Sequence, residues 1–278
     1  GYSLETMTQL TREQNWDAVM SDAIPQKYVS VDDKIMDRHY LATFPFRDKK
    51  IKMKSGIYDG ARINLLLARL TSPAYKIRNY SELSIPYLCI ATDIANGEAY
   101  EMTRGNLQRS IRASMSIPFY FTPVEVDGRL LIDGGMRNNF PVQNLRDKGV
   151  DIIIGVDVQR NFHTKEEINS LTKILDQMIA ITDIDANKKA MEEIDIHIRP
   201  QLGSYGMMDF NSFDSIIAIG EEAAREYLPQ LKHLADSIRS IQEYTVERPD
   251  VKPLDTLYIV SLKINGVKAE NENFIRKS

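Results

Sequence analysis

The segment from Ile85 to Val158 alternates between stretches typical of β-strands and stretches typical of α-helices. Residues 86–92 and 98–103 have the composition of neighbouring strands joined by an Asn-Gly turn. Residues 107–115 then place apolar side chains four positions apart, as on one face of a helix. Residues 151–158 are largely apolar, which is typical of a strand buried on both faces. The pattern predicts an α/β fold with a sheet between helices.

The overall composition excludes several classes of protein. Apolar residues make up 43% of the 278 residues, enough for a sizeable core, and the net charge of -4 argues against a nucleic-acid binder. The one cysteine, Cys89, cannot form an intrachain disulfide and lies in a predicted buried strand. The sequence contains no glycine-rich phosphate loop, so we expect no nucleotide cofactor.

No metal site is expected either. The four histidines have no cysteine or carboxylate partners at the spacing of metal ligands. Asp183, Asp185 and Asn187 resemble the start of a calcium-binding EF-hand loop, but Lys188 and Ile194 stand where that loop needs glycine and glutamate. His197 alternates with isoleucines and is interpreted as a surface or packing residue of a strand.

Asp133 is the strongest candidate for chemistry. It directly follows the second strand, Arg129 to Ile132, of a hairpin whose turn is Asp127-Gly128, and two glycines come after it. A carboxylate at the end of a strand faces the crevice where α/β proteins bind ligands, and beside a serine it can act as a general base. The alternative from the residues alone is that Asp-Gly-Gly is only a turn.

A series of short motifs resembles the motifs of a known protein family. In chain order they are Pro86, Ala91-Thr92-Asp93, Gly105-Asn106-Leu107, Arg112-Ala113-Ser114, Ile117-Pro118, Phe121-x-Pro123 and Asp133-Gly134-Gly135, followed by Asn139 and Pro141. This order resembles the second half of the patatin-like phospholipase domain, a three-layer α/β fold with a mixed, mainly parallel sheet between helices. The resemblance implies a lipid acyl hydrolase with a Ser-Asp dyad and no histidine base. Asp133 would then be the dyad base, Gly134 and Gly135 would shape its loop, and Asn139 would hold that loop by hydrogen bonds.

The nucleophile implied by this resemblance is missing from the sequence. No G-x-S-x-G pattern occurs, nor the glycine-rich loop that would supply an oxyanion hole. Ser114 belongs to a family motif but is not the family's nucleophile. We therefore interpret the chain as a domain lacking its N-terminal part, inactive alone, with an exposed sheet edge that favours pairing with another chain.

The predicted boundaries divide the chain into a hydrolase domain over residues 1–243, a proline-containing linker over 244–254, and a tail over 255–278. The tail resembles the opening strand and helix of a POTRA domain, as in outer-membrane fusions of a patatin-like domain with a β-barrel. That resemblance implies the outer membrane of a Gram-negative bacterium, on its extracellular or periplasmic face.

Other readings of function remain open at this point. The expected substrate is a phospholipid or another acyl ester presented at a membrane surface, with no nucleic acid involved. The alternatives are a non-catalytic binding or assembly module of an outer-membrane protein, and a cytoplasmic hydrolase without a barrel. Residues 47–54 alternate basic and apolar side chains, which predicts an exposed hairpin or, alternatively, a lipid-headgroup or phosphate site.

Overall fold

The computed structural model describes most of the predicted hydrolase domain. The described residues are 1–22, 46–47, 50–51, 55–159, 162–182, 190–241 and 251. The expectations for the linker, apart from Val251, and for the POTRA-like tail lie outside the described residues, as does the EF-hand-like stretch over residues 183–187.

Eight α-helices of the described residues enclose the strands. They are α1 (Leu4–Arg12), α2 (Trp16–Ser21), α3 (Ala61–Thr71), α4 (Leu107–Ser114), α5 (Val142–Arg146), α6 (Leu171–Thr182), α7 (Phe213–Glu226) and α8 (Leu228–Ile241). Polar caps set several of these boundaries: Asn106 Oδ1, for example, accepts a hydrogen bond from the Arg109 amide at the start of α4 (3.0 Å). Pro229 falls in the first turn of α8, where a missing N–H is tolerated.

The part of the chain that the structure describes contains ten strands in four sheets. They are β1 (Phe46–Arg47), β2 (Lys50–Ile51), β3 (Gly56–Tyr58), β4 (Cys89–Asp93), β5 (Glu98–Met102), β6 (Phe119–Phe121), β7 (Val124–Val126), β8 (Arg129–Asp133), β9 (Ile154–Val156) and β10 (Ile196–Ile198). The largest sheet is antiparallel, in the order β5-β4-β8-β7. β3 pairs with β6 and β9 with β10 in parallel, and β1 pairs with β2 in the predicted hairpin. The prediction of a mixed α/β fold is confirmed.

The hairpin of β7 and β8 has the predicted turn. Asp127 and Gly128 both have positive φ, 51° and 75°, as a type I′ turn requires. Leu131 of β8 is fully buried and packs with Cys89, Ala91 and other core residues between the antiparallel sheet and α4. The hairpin therefore fixes the register that places Asp133 opposite Ala91 of β4.

A buried arginine ties a second core cluster to this sheet. Arg112 of α4 is 1% exposed, and its guanidinium stacks on the Phe121 ring, 4.3 Å from the centroid. Its Nη1 donates to Ser116 Oγ (2.6 Å), and its Nη2 donates to the Asp59 carbonyl (3.3 Å). Gly60 makes room for this side chain, because a Cβ there would lie 2.5 Å from Arg112 Nη2.

The structure corrects the prediction that residues 151–158 form a strand buried on both faces. Only Ile154–Val156 form a strand, β9, and alternate side chains of this segment are exposed, including Ile154 at 47% and Val156 at 52%. Within the described residues, β9 pairs with β10 along one edge and with no strand along the other. One edge of β9 is therefore unpaired within the described residues, and the side chains on one of its faces are exposed.

The structure also corrects the predicted bounds of two helices. Residues 3–22 form two helices rather than one, because Asn15 caps a new helix through a hydrogen bond from the Ala18 amide (3.0 Å). The predicted capping box at Thr164 does contain a hydrogen bond from the Thr164 amide to Glu167 (2.8 Å), but it closes a turn. The helix behind it begins only at Leu171, with the Lys173 amide bonded to Ser170 Oγ.

Candidate active site

The main chain of Asp133 is held on both sides. Its amide donates to the Ser116 carbonyl (2.9 Å), and its carbonyl accepts a hydrogen bond from Thr92 Oγ1 (2.9 Å). The carboxylate caps the short 3₁₀ turn Gly134–Met136, with Oδ1 accepting from the Gly135 amide (2.8 Å). Asp133 is thus fixed at the point where β8 leaves the sheet.

The two glycines are required by close packing. A Cβ on Gly134 would lie 2.3 Å from the Ile90 carbonyl oxygen of β4, far inside van der Waals contact. A Cβ on Gly135 would lie 2.8 Å from Asn139 Oδ1 and 3.1 Å from Asp133 Oδ1. Neither glycine has positive φ, so the reason for glycine here is space and not left-handed backbone.

A polar network fastens the chain that follows the loop. Asn138 Nδ2 donates to Asn144 Oδ1 (2.9 Å), and Asn144 Nδ2 donates to Glu101 Oε2 (2.6 Å). Lys148 pairs with the other oxygen of Glu101 (2.6 Å). Burial acts to raise the pKa of Glu101, but the hydrogen bonds from Lys148 and Asn144 outweigh it and the pKa is lowered. No sequence motif pointed to this role of Asn138. Asn139 lies close to Gly135, and its role in holding the loop by hydrogen bonds stays a prediction.

Asp133 opens onto a cavity of about 350 Å³. Much of its wall is apolar, from Ile117, Val158, Ile179, Ala180, Leu202 and Met207. Burial raises the pKa of Asp133 from 3.8 to about 6, against the opposing effect of the Gly135 hydrogen bond. A carboxylate with a pKa near neutrality is a stronger base than an exposed aspartate and is still ionised at pH 7.

Ser114 is not poised as a nucleophile. Its hydroxyl donates to the Ile90 carbonyl (2.6 Å) and so serves the packing of α4 on β4. Asp93, at the end of β4, binds Arg129 (2.9 Å) and the Ala95 amide (3.0 Å). Neither residue lines the cavity of Asp133.

The cavity contains a polar pair that the sequence analysis missed. His163 and Asp176 both line it, with 3.5 Å between His163 Nε2 and Asp176 Oδ2. Their spacing of thirteen residues across a turn and a helix start carries no motif, so only the fold brings them together. His197 faces Asp157 and Phe140, in line with its assignment as a packing residue.

The described residues give no sign of a metal centre or a membrane span. No group of three or more histidine, cysteine, aspartate or glutamate side chains there could hold a metal ion. No helix in that part of the chain has the length and apolar character needed to cross a bilayer.

We expect the ionised Asp133 to destabilise the folded chain. Its folded pKa of about 6 lies above the unfolded value of 3.8, so the folded state binds the proton more tightly and stability falls as pH rises from 3.8 to 6. The loss is on the order of 3 kcal/mol above pH 6. Asp133→Asn keeps the acceptor for the Gly135 amide and should raise the melting temperature at pH 8 but hardly at pH 4. Equal shifts at both pH values in scanning calorimetry would contradict this.

Comparison with known proteins agrees with this geometry. The family model described as patatin-like phospholipase matches residues 1–146. "Patatin-like phospholipase domain-containing protein 7" from Mus musculus is 26% identical over 200 residues, covering 62% of this chain and 14% of that protein. "Lysophospholipase NTE1" from Coccidioides immitis is 25% identical over 193 residues, covering 60% and 12%. The protein of the same name from Candida albicans is 25% identical over 186 residues, covering 57% and 13%.

The matches differ in the share of each protein that they cover. The chain spans between 12% and 14% of the length of these three relatives. The family model, in contrast, covers more than half of the chain and includes the Asp133 loop. The chain belongs to the patatin-like phospholipase family.

Proposed function

We propose that this chain carries the acid half of a Ser-Asp dyad in a lipid acyl hydrolase. The observation that carries the proposal is the setting of Asp133: a partly buried carboxylate, with a pKa of about 6, that opens onto a largely apolar cavity of about 350 Å³. Membership of the family and relatives named lysophospholipase support a lipid ester as the substrate. The apolar wall suits an acyl chain, since ligand pockets of this size are lined mainly by such side chains.

The proposed reaction uses Asp133 twice. The serine oxygen attacks the ester carbonyl carbon while Asp133 accepts the hydroxyl proton. The tetrahedral intermediate expels the alcohol, to which Asp133 returns the proton, and the acyl group stays on the serine. Water then attacks the acyl-serine with Asp133 again as base, and the proton passes to the serine oxygen as the fatty acid leaves.

In this proposal the nucleophile lies upstream of Gly1 in the natural polypeptide, because no G-x-S-x-G elbow occurs in the sequence. Within the described residues, the unpaired edge of β9 offers a docking place for the strand that carries it. Ile152, Ile154 and Val156 are exposed on one side of this segment, and Val158 continues the row into the cavity of Asp133. A strand of an α/β sheet normally has both faces covered. The chain without that segment is then inactive.

The cellular setting is a separate proposal. An outer-membrane location rests on the POTRA-like tail over residues 255–278, which lies outside the described residues, and the three relatives named above are eukaryotic. Pairing with another chain through the unpaired edge of β9 is also a proposal. The domain boundaries at residues 243 and 254 stay predictions from the sequence. Fractionation of the host cell with an antibody against residues 213–241 would test the location.

Fluorophosphonate labelling tests the proposed function directly. The probe reacts covalently with activated serines, so it should label a chain extended upstream to the natural start, and should not label the 278-residue chain. Label on the 278-residue chain would mean that one of its own serines is activated, and the placement of the nucleophile would be wrong. Labelling of neither chain would favour the alternative, a non-catalytic binding or assembly module.

A further inference from the structure

The charged groups of the Asp133 cavity are unbalanced. Two carboxylates, Asp133 and Asp176, line it together with His163 and Tyr205, and the described lining residues include no lysine or arginine. A headgroup that carries negative charge alone would meet no lysine or arginine among these described lining residues. The electrostatic character of the wall instead favours a ligand that brings a cation.

His163 and Asp176 have hydrogen-bonding capacity left over. The His163 side chain is 3% exposed, and its Nε2 makes no hydrogen bond within the described part of the chain. Asp176 Oδ2 lies 3.5 Å from this nitrogen, which is longer than a normal hydrogen bond. A buried nitrogen without a partner is unfavourable, which in native proteins often marks a place where a ligand or water completes the network.

The pair is held firmly enough to form a site. The His163 amide donates to Gln177 Oε1 of α6 (2.8 Å), which holds the main chain of His163 beside the same helix that carries Asp176. That helix packs against the 3₁₀ turn of Gly134 and Gly135, so the pair and the Asp133 loop are parts of one structural unit. The Asp176 side chain is 17% exposed and can be reached from the cavity.

We propose that Asp176, oriented by His163, binds the ammonium group of a lipid headgroup. An ammonium N–H donates to a carboxylate in a short, charge-assisted hydrogen bond, and Tyr205 offers an aromatic surface in the same cavity. His163 is a positioning residue here. This inference rests on the proposed function, because it assigns the headgroup of the same substrate, and it predicts ethanolamine-type headgroups over headgroups of equal size without a cation.

Binding of ether-linked lysolipids tests the inference without any catalytic step. Two lysolipids with the same alkyl chain, one with a phosphoethanolamine and one with a phosphoglycerol headgroup, differ mainly in the ammonium group. Calorimetric titration of the full-length protein should give about tenfold tighter binding of the ethanolamine lipid, the effect expected of one charge-assisted hydrogen bond. Asp176→Asn should bring the two Kd values within about twofold, and His163→Gln should reduce the preference in part. The exposed control Asp236→Asn on α8 should keep it.

The outcomes separate this inference from the proposed function. Equal binding of the two lipids by the natural protein, or a preference that survives both Asp176→Asn and His163→Gln, would overturn the headgroup assignment. A reduced preference in His163→Gln alone would support it even if Asp176→Asn does not fold. Hydrolysis of the ester-linked lipids is measured in parallel: the proposed function fails if that hydrolysis does not depend on Asp133, whatever the binding preference.

Discussion

Asp133→Asn should lower ester hydrolysis by the upstream-extended chain roughly 10³- to 10⁴-fold. An amide cannot take the proton of the serine hydroxyl, and in a dyad no histidine stands between the acid and the nucleophile. Asparagine keeps the side-chain volume and can still accept from the Gly135 amide, so the loop should remain in place. Initial rates with a fluorogenic acyl ester, compared at equal concentrations of folded protein, give the measurement.

A matched control lies on the same hairpin. Asp127 is exposed at the turn before β8 and has φ of 51°, a conformation that asparagine tolerates well, so Asp127→Asn should leave the rate unchanged. Hydrolysis that survives Asp133→Asn would mean that Asp133 is a loop residue and not the base. The pH dependence adds a second check: activity of the natural chain should fall as pH drops below about 6, where Asp133 takes up its proton.

The Asp133 loop was predictable because its determinants are local. The hairpin turn Asp127-Gly128 sets the register of β8, and Gly134 and Gly135 mark a place where backbone comes close. A type I′ turn requires positive φ at both central residues, which few residue types tolerate, so the sequence pattern and the structure agree there. The α/β class followed equally well from the alternation of strand and helix patterns.

The features that escaped prediction depend on long-range contacts. His163 meets Asp176 only because the turn before α6 folds back along that helix, and no spacing rule encodes this. The apolar residues of β9 have the composition of a strand covered on both sides, yet burial depends on which elements pack against it. The sequence pattern placed the start of α6 at Thr164, but the structure places its cap at Ser170. Both residues can cap a turn, and the pattern alone does not distinguish them.

The other large effect is expected from Gly134→Ala. The added methyl group would lie 2.3 Å from the Ile90 carbonyl oxygen and 2.7 Å from its carbon. Both atoms belong to the backbone of β4, which pairs with β5 on one side and β8 on the other, so no rotamer change can relieve the clash. The same carbonyl accepts the Ser114 hydroxyl, and a shift of β4 would break that bond as well.

We therefore expect Gly134→Ala to lower the free energy of unfolding by about 3 kcal/mol or more, seen as a lower melting temperature in calorimetry. Gly220→Ala is the matched control, because a Cβ at Gly220 would meet nothing within 4 Å and alanine is favoured inside helix α7 by about 1 kcal/mol. Its melting temperature should stay the same or rise. If both variants melted alike, the contact of Gly134 with β4 would not be tight in solution. The carboxylate of Asp133 would then lack the rigid support that a pre-positioned base requires.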